Sequence, residues 1–227
     1  MVAIFVAFMF VSLVLTDLAV TKWREWRVAR AVQTVSPAAV GDRADAWRQV
    51  PEGVHIVDQH TWIKPDPTGG LGIGADAFLV RAVGAAGRIV LPTVGEQVSA
   101  GQPLFRLEQN GRSLMIPSAL TGRIMAVNTR LENEPELLTS DPYGSGWICY
   151  LNPTRVEGAA PRAHFGEQAT RWLEDEFALF RDFVLQFSPD VAFGMTSQDG
   201  GLPAFGCLGE LGQPAWSAFE TSFIRRP

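Results

Sequence analysis

At 227 residues the chain is long enough for one large domain, or for a medium domain with attached segments. Its formal net charge of -5 argues against nucleic-acid binding, because that function needs a basic face to neutralise phosphates. The two cysteines, Cys149 and Cys207, are too few for a disulfide framework and form no CxxC motif. We therefore interpret them as reduced thiols packed among apolar side chains.

An almost unbroken apolar run opens the chain at residues 2–15 and resumes at residues 18–20. A helix of about 19 residues, at about 1.5 Å per residue, nearly matches a bilayer core of about 30 Å. A cleaved signal peptide is the alternative, but neither a basic leading region nor a small-residue cleavage site is clear. The sequence therefore predicts a transmembrane anchor helix over residues 1–33.

Basic and aromatic residues follow the apolar run directly. We expect six of them at the membrane interface: Lys22, Trp23, Arg24, Trp26, Arg27 and Arg30. Because positive charge favours the cytoplasmic side, this flank predicts a single-pass protein of the inner (cytoplasmic) membrane with its C-terminal domains in the cytoplasm. Whether the span contacts other membrane subunits, pigment, quinone or only lipid stays open.

Residues 34–53 mix proline, glycine and charges without a clear period, which is typical of a linker. Residues 54–153 then alternate short apolar runs with turns, which predicts a mainly β sandwich or flattened barrel. A helix is expected over Ala75–Val83. The predicted strands are Val54–Val57, Thr61–Lys64, Leu71–Ile73, Arg88–Leu91, Pro103–Leu107, Ser113–Pro117, Gly122–Val127 and Trp147–Leu151.

A short internal repeat supports a design in two halves. The run Gly87–Val90 (GRIV) recurs as Gly122–Met125 (GRIM), and each copy opens a predicted strand that leads into a turn.

Four motifs of this region occur in an unusual combination: residues 60–63 (HTWI), 91–95 (LPTVG), 133–138 (NEPELL) and 141–147 (DPYGSGW). Their physical roles are structural, since Pro142 and Gly144 suit a tight turn and Asn133 suits a helix N-cap. Together they resemble the glycine cleavage H protein, over about 100 of the 227 residues. The resemblance implies a lipoyl-carrier fold.

The resemblance also implies a carrier lysine at position 111, three residues after Glu108, yet Gly111 occupies that position. The chain contains only Lys22 and Lys64, and neither is near in sequence. Asn110-Gly111 is a good tight-turn pair, so the hairpin is expected to form without an attachment site. We therefore expect no lipoate and no other cofactor.

Other chemistry-bearing patterns are absent from the sequence. No GxSxG, HExxH or P-loop motif occurs, and the three histidines have no zinc-like spacing with other ligands. His60 is interpreted as a structural member of its strand. We expect no catalytic residue and no metal site.

Residues 154–227 are predicted as a helical and irregular C-terminal extension. Phe165–Phe187 has the 3.6-residue spacing of an amphipathic helix, and a second helix is expected near Pro214–Phe223. These aromatic faces are expected to pack on their own domain, on a partner subunit or on the membrane surface. The possible docking residues are Trp172, Phe180, Phe183, Phe187 and Trp216.

The sequence thus favours a non-catalytic accessory subunit that braces a membrane-bound electron-transfer or photosynthetic complex from the cytoplasmic side. Its partners would be the membrane and the other subunits of that complex. The alternative is a membrane-tethered adaptor or carrier related to lipoate-dependent glycine cleavage. A third hypothesis, a quinone- or small-molecule-binding enzyme, lacks a convergent set of polar residues.

Overall fold

The computed structural model describes residues 50–67, 69–154, 162–188 and 203–225, all of which belong to a unit spanning Trp47–Pro227. The predicted anchor helix, its interfacial residues and most of the predicted linker lie outside the described residues. Within the described ranges no helix combines the length and the apolar character that crossing a membrane requires.

Ten short strands form the two sheets of the described domain. They are β1 (His55–Val57), β2 (Thr61–Pro65), β3 (Leu71–Ala75), β4 (Arg88–Val90), β5 (Gln97–Val98), β6 (Pro103–Gln109), β7 (Arg112–Pro117), β8 (Gly122–Val127), β9 (Trp147–Pro153) and β10 (Ala163–Phe165). All their pairings are antiparallel, in one sheet of order β10-β1-β2-β3-β9-β8-β5 and another of order β4-β6-β7. The mainly β architecture is as the sequence predicts.

The internal repeat contributes one strand to each sheet. In β4 the exposed Arg88 precedes the buried Ile89, and in β8 the exposed Arg123 precedes the buried Ile124. Since side chains alternate between the faces of a strand, each copy directs its isoleucine inward. Both isoleucines belong to the same hydrophobic core.

Four α-helices are described: α1 (Ala77–Val83), α2 (Leu137–Ser140), α3 (Gly166–Phe187) and α4 (Gln213–Phe219). Helix α1 starts where the Asp76 side chain accepts a hydrogen bond from the Leu79 amide at 2.8 Å. It ends at Gly84, whose positive φ of 77° suits glycine. A π-helical turn, Glu220–Ile224, follows α4.

The predicted cap at Asn133 is wrong. Asn133 follows a 3-10 helix, Thr129–Glu132, and its backbone amide bonds Arg130 O. Its helical backbone angles differ from the extended conformation of an N-cap. Helix α2 begins only after Glu136, and no side chain caps it.

The C-terminal extension joins the domain more closely than its sequence suggests. Strand β10, in a region predicted as helical or irregular, pairs with β1 over three residues and forms the edge of the larger sheet. Helix α3 follows directly and buries Phe177, Phe180 and Phe183. The extension therefore completes the larger sheet and adds a helical layer to the core.

Both thiols lie inside the core, as the sequence predicts, and burial raises the pKa of Cys149 and of Cys207 to about 12. The thiolate is the reactive form, so its population at neutral pH should fall by about three orders of magnitude. We expect both cysteines to resist Ellman's reagent in the native protein and to react fully in denaturant. Rapid labelling of the native protein would contradict this packing.

Candidate functional site

The hairpin between β6 and β7 is the most distinctive local structure of the domain. Its two-residue turn consists of Asn110 (φ 50°) and Gly111 (φ 75°), and the pair Gln109 and Arg112 closes it. Two successive residues with positive φ indicate a type I′ turn, whose twist matches the strands it joins. The turn therefore holds position 111 at the tip of a regular hairpin.

Position 111 is sterically open. Apart from residues 110–112 themselves, no heavy atom of the described residues would lie within 4 Å of a Cβ atom built on Gly111. The positive φ favours glycine, because an L residue there costs on the order of 1 kcal/mol. A side chain could thus project into free space, but Gly111 supplies no reactive group.

The two residues that flank the turn are held by other parts of the chain. Gln109 Nε2 donates hydrogen bonds to Val83 O at 3.0 Å, at the end of α1, and to Ala85 O at 2.9 Å, two residues later. Arg112 Nη1 donates to Gly209 O at 2.9 Å, within the C-terminal segment. The base of the hairpin is therefore fixed on both strands.

Charged side chains line the outward face of the smaller sheet. Arg106 Nε lies 2.9 Å from Glu108 Oε1, and Arg88 Nη1 lies 3.8 Å from Glu108 Oε2. Exposed pairs of this kind contribute little to stability, typically less than about 1 kcal/mol. They leave the hairpin face charged but offer no nucleophile.

A second polar cluster lies deep inside the domain. His60, in a positive-φ conformation (57°), precedes β2, and its Nδ1 lies 2.9 Å from Asp76 Oδ2. On the other side its Nε2 lies 3.5 Å from Glu176 Oε2, on helix α3. The imidazole also stacks on Phe78, with ring centroids 4.0 Å apart. One buried histidine thus links the β domain to the C-terminal helix.

The electrostatics of this cluster favour the imidazolium. Burial alone would lower the pKa of His60, but the charge and hydrogen bond of Asp76, with help from Glu176, outweigh it and raise the pKa. The sequence indicated only a structural role for His60. Glu176 was missed because an acidic residue in an amphipathic helix is normally assigned to the solvent face.

The raised pKa of His60 predicts a pH-dependent stability. The contribution of His60 to the free energy of unfolding should be fully present below its pKa in the unfolded chain, about 6.5. It should be lost as the pH rises through the higher pKa of His60 in the folded protein. Urea denaturation between about pH 6 and pH 9 measures it. His60→Asn is the control, because asparagine tolerates positive φ but does not titrate. Equal pH dependence in both proteins would contradict the assignment.

The predicted docking residues occupy different environments. Phe180, Phe183 and Trp216 are buried against their own chain, and Trp172 is half-buried beside His60 and His164. Phe187 is the one most open to solvent, at 39% exposure. Docking of this set on a partner stays a prediction. Among the described residues, no three His, Cys, Asp or Glu side chains are arranged to hold a metal.

Comparison with known proteins connects this hairpin domain to a family. The family model for the glycine cleavage H-protein matches residues 54–176, from the start of the β domain into helix α3. The chain belongs to the glycine cleavage H-protein family. The match reaches Glu176 and stops there, so the rest of α3 and the C-terminal segment lie beyond it.

Two relatives agree in sequence with the family match. The glycine cleavage system H protein of Hydrogenovibrio crunogenus is 34% identical over 104 residues, covering 46% of this chain and 81% of the relative. That of Coprothermobacter proteolyticus is 31% identical over 108 residues, covering 48% and 85%. The crystal structure of a glycine cleavage system H protein from Mycobacterium marinum, 28% identical, covers 54% of this chain and 98% of its own, with a TM-score of 0.48.

Proposed function

We propose that this chain is a non-catalytic adaptor of the glycine cleavage H-protein type, which binds partners of that system without a covalently attached lipoate. The observation that carries the proposal is the hairpin: its type I′ turn is intact, but its tip is Gly111. The family resemblance implies the carrier lysine at this position. The hairpin that would expose the lysine is thus retained, but the amine to which lipoate would be attached is missing.

Within the described ranges, no neighbouring side chain is a suitable replacement for the lysine. Acyl attachment needs a nucleophilic amine, whereas the Arg112 guanidinium stays charged and already bonds Gly209 O. Lys64 lies on β2, in the other sheet. These placements support a domain that carries no acyl group.

An acidic edge provides a surface for partner binding. Glu132, Glu136 and Asp141 are exposed, and Glu134 beside them pairs with Arg130 at 2.9 Å. Complementary charge speeds association and selects partners with a basic patch. We infer that this edge contacts the partner. Residues 1–33 would tether the adaptor to the cytoplasmic side of a membrane, as their apolar and basic sequence predicts.

Binding to the decarboxylase of the glycine cleavage system tests the adaptor function. We expect the full chain to compete with an authentic H protein, and the double variant E132K/E136K to compete at least about tenfold more weakly. The control is E167K/D175K, which makes the same change in net charge on exposed positions of α3. No competition by the unsubstituted chain, or equal competition by both double variants, would contradict the proposal.

The accessory subunit of a membrane-bound electron-transfer or photosynthetic complex is the second candidate function. It is favoured by the apolar run at residues 2–20 and the basic flank that follows. Gentle detergent extraction from the native membrane, followed by a native gel and mass spectrometry, tests it. Co-migration of this protein with cofactor-bearing membrane subunits would support this function. If the protein migrates without any other subunit, this function is excluded.

A further inference from the structure

The C-terminal segment 203–225 contacts the hairpin that the adaptor proposal concerns. Besides the bond from Arg112 to Gly209 O, Gly209 itself lies against the other flanking residue, Gln109. A Cβ on Gly209 would lie only 2.6 Å from Gln109 Oε1. One short turn of the segment therefore touches both residues that border the tip.

The same segment is also fixed to the end of helix α1. Gly206 N donates to Arg81 O at 2.8 Å, and Arg81 Nε donates to Pro203 O at 3.1 Å. The two backbones approach so closely that a Cβ on Gly84 would lie 2.5 Å from Gly206 Cα. Glycine at both positions, each with positive φ, permits this contact.

Aromatic burial holds the remainder of the segment in place. Trp216 is 1% exposed, and its Nε1 donates to Leu208 O at 2.8 Å. Phe219 and Phe223 stack with centroids 4.9 Å apart, and both are buried with Phe78 of α1. Large buried aromatic side chains dominate packing energies, so the segment is a stable part of the native state.

We propose that residues 203–225 form a built-in cover on the flank of the hairpin and hinder a second protein from enclosing its tip. The inference rests on the proposed function, and it adds a second, independent barrier to lipoate attachment. An enzyme that modifies a lysine at position 111 must enclose a four-carbon side chain, and therefore must approach residues 109 and 112. The cover already contacts the side chains of both residues, although the tip itself is open. It leaves the exposed acidic edge open for partners.

The test restores the missing lysine. Full-length G111K is incubated with a lipoate–protein ligase, lipoic acid and ATP, beside an authentic H protein as substrate. If the cover opens only transiently, the apparent rate falls with the open fraction, so we expect modification at least about tenfold slower than that of the authentic protein.

Two variants that disturb the packing of the cover are compared with G111K. G111K/G209V inserts a side chain against Gln109, and G111K/G84A inserts one beneath Gly206; we expect both to be modified at least about fivefold faster than G111K. Hydrogen exchange at residues 109–113 should rise in parallel. G111K/G212A is the control, because a Cβ on Gly212 has only one neighbour within 4 Å, Pro214 Cδ at 3.5 Å. It should behave like G111K.

Two outcomes would contradict the proposal that residues 203–225 act as a cover. Modification of G111K at the rate of the authentic protein shows that the flank is accessible. Slow modification that neither G209V nor G84A accelerates shows that the cover is not the barrier. Both results leave the decarboxylase competition unchanged, so failure of the cover is distinguishable from failure of the adaptor function.

Discussion

Replacing Asp76 with alanine should destabilise the domain by about 3–5 kcal/mol, the cost of breaking a buried ion pair by removing one partner. The carboxylate accepts from the Leu79 amide at the start of α1 and from His60 Nδ1, and it is fully buried. Alanine would leave the helix uncapped and His60 without its stronger counter-charge. Urea denaturation near neutral pH measures the loss.

The isosteric variant separates the two roles of Asp76. Asp76→Asn keeps an oxygen that can accept from the Leu79 amide but removes the negative charge. We therefore expect its free energy of unfolding to fall by less than that of the alanine variant. Its stability should also depend less on pH than that of the native protein, because the principal group that raises the pKa of His60 is gone. A loss below about 1 kcal/mol for Asp76→Ala would contradict this account.

Replacing Phe78 with alanine should cost a similar amount, about 3–5 kcal/mol, because it opens a cavity in the centre of the aromatic core. The ring is fully buried, and its neighbours come from both C-terminal elements: Phe177 at 5.1 Å, Phe223 at 5.4 Å, Phe180 at 5.5 Å and Phe219 at 6.1 Å between centroids. We therefore expect faster hydrogen exchange in residues 166–187 and 213–225.

Phe187→Ala is the control for this prediction. Phe187 lies at the end of α3 and is 39% exposed, so its removal should cost less than about 1 kcal/mol. Equal losses for the two phenylalanines, or unchanged exchange in the C-terminal helices of Phe78→Ala, would contradict the central position of Phe78.

Local patterns were enough to predict most of the β domain. The alternation of β6 and β7 and the Asn-Gly pair between them specify a hairpin, and the structure has that hairpin with its tight turn at residues 110 and 111. The spacing of aromatic residues likewise predicts α3, which begins at Gly166, one residue later than expected. These elements are predictable because their hydrophobic period and turn residues are contiguous in sequence.

Features that depend on distant residues were not predictable. Strand β10 is three residues long, and only its pairing with β1 identifies it as a strand. Glu176 becomes a core residue because α3 docks it against His60. In the same way, no local pattern indicates that Gly209 meets Gln109 and Arg112. Each contact joins segments about 100 residues apart.

The central claim, an H-protein-type domain without a covalent arm, is tested most directly by the mass of the intact full-length protein. It should be purified from its own cells grown with ample lipoate, beside the authentic H protein of the same cells. We predict the unmodified mass for this chain and a lipoyl adduct on the authentic protein. A lipoyl adduct on any residue of this chain would contradict the account.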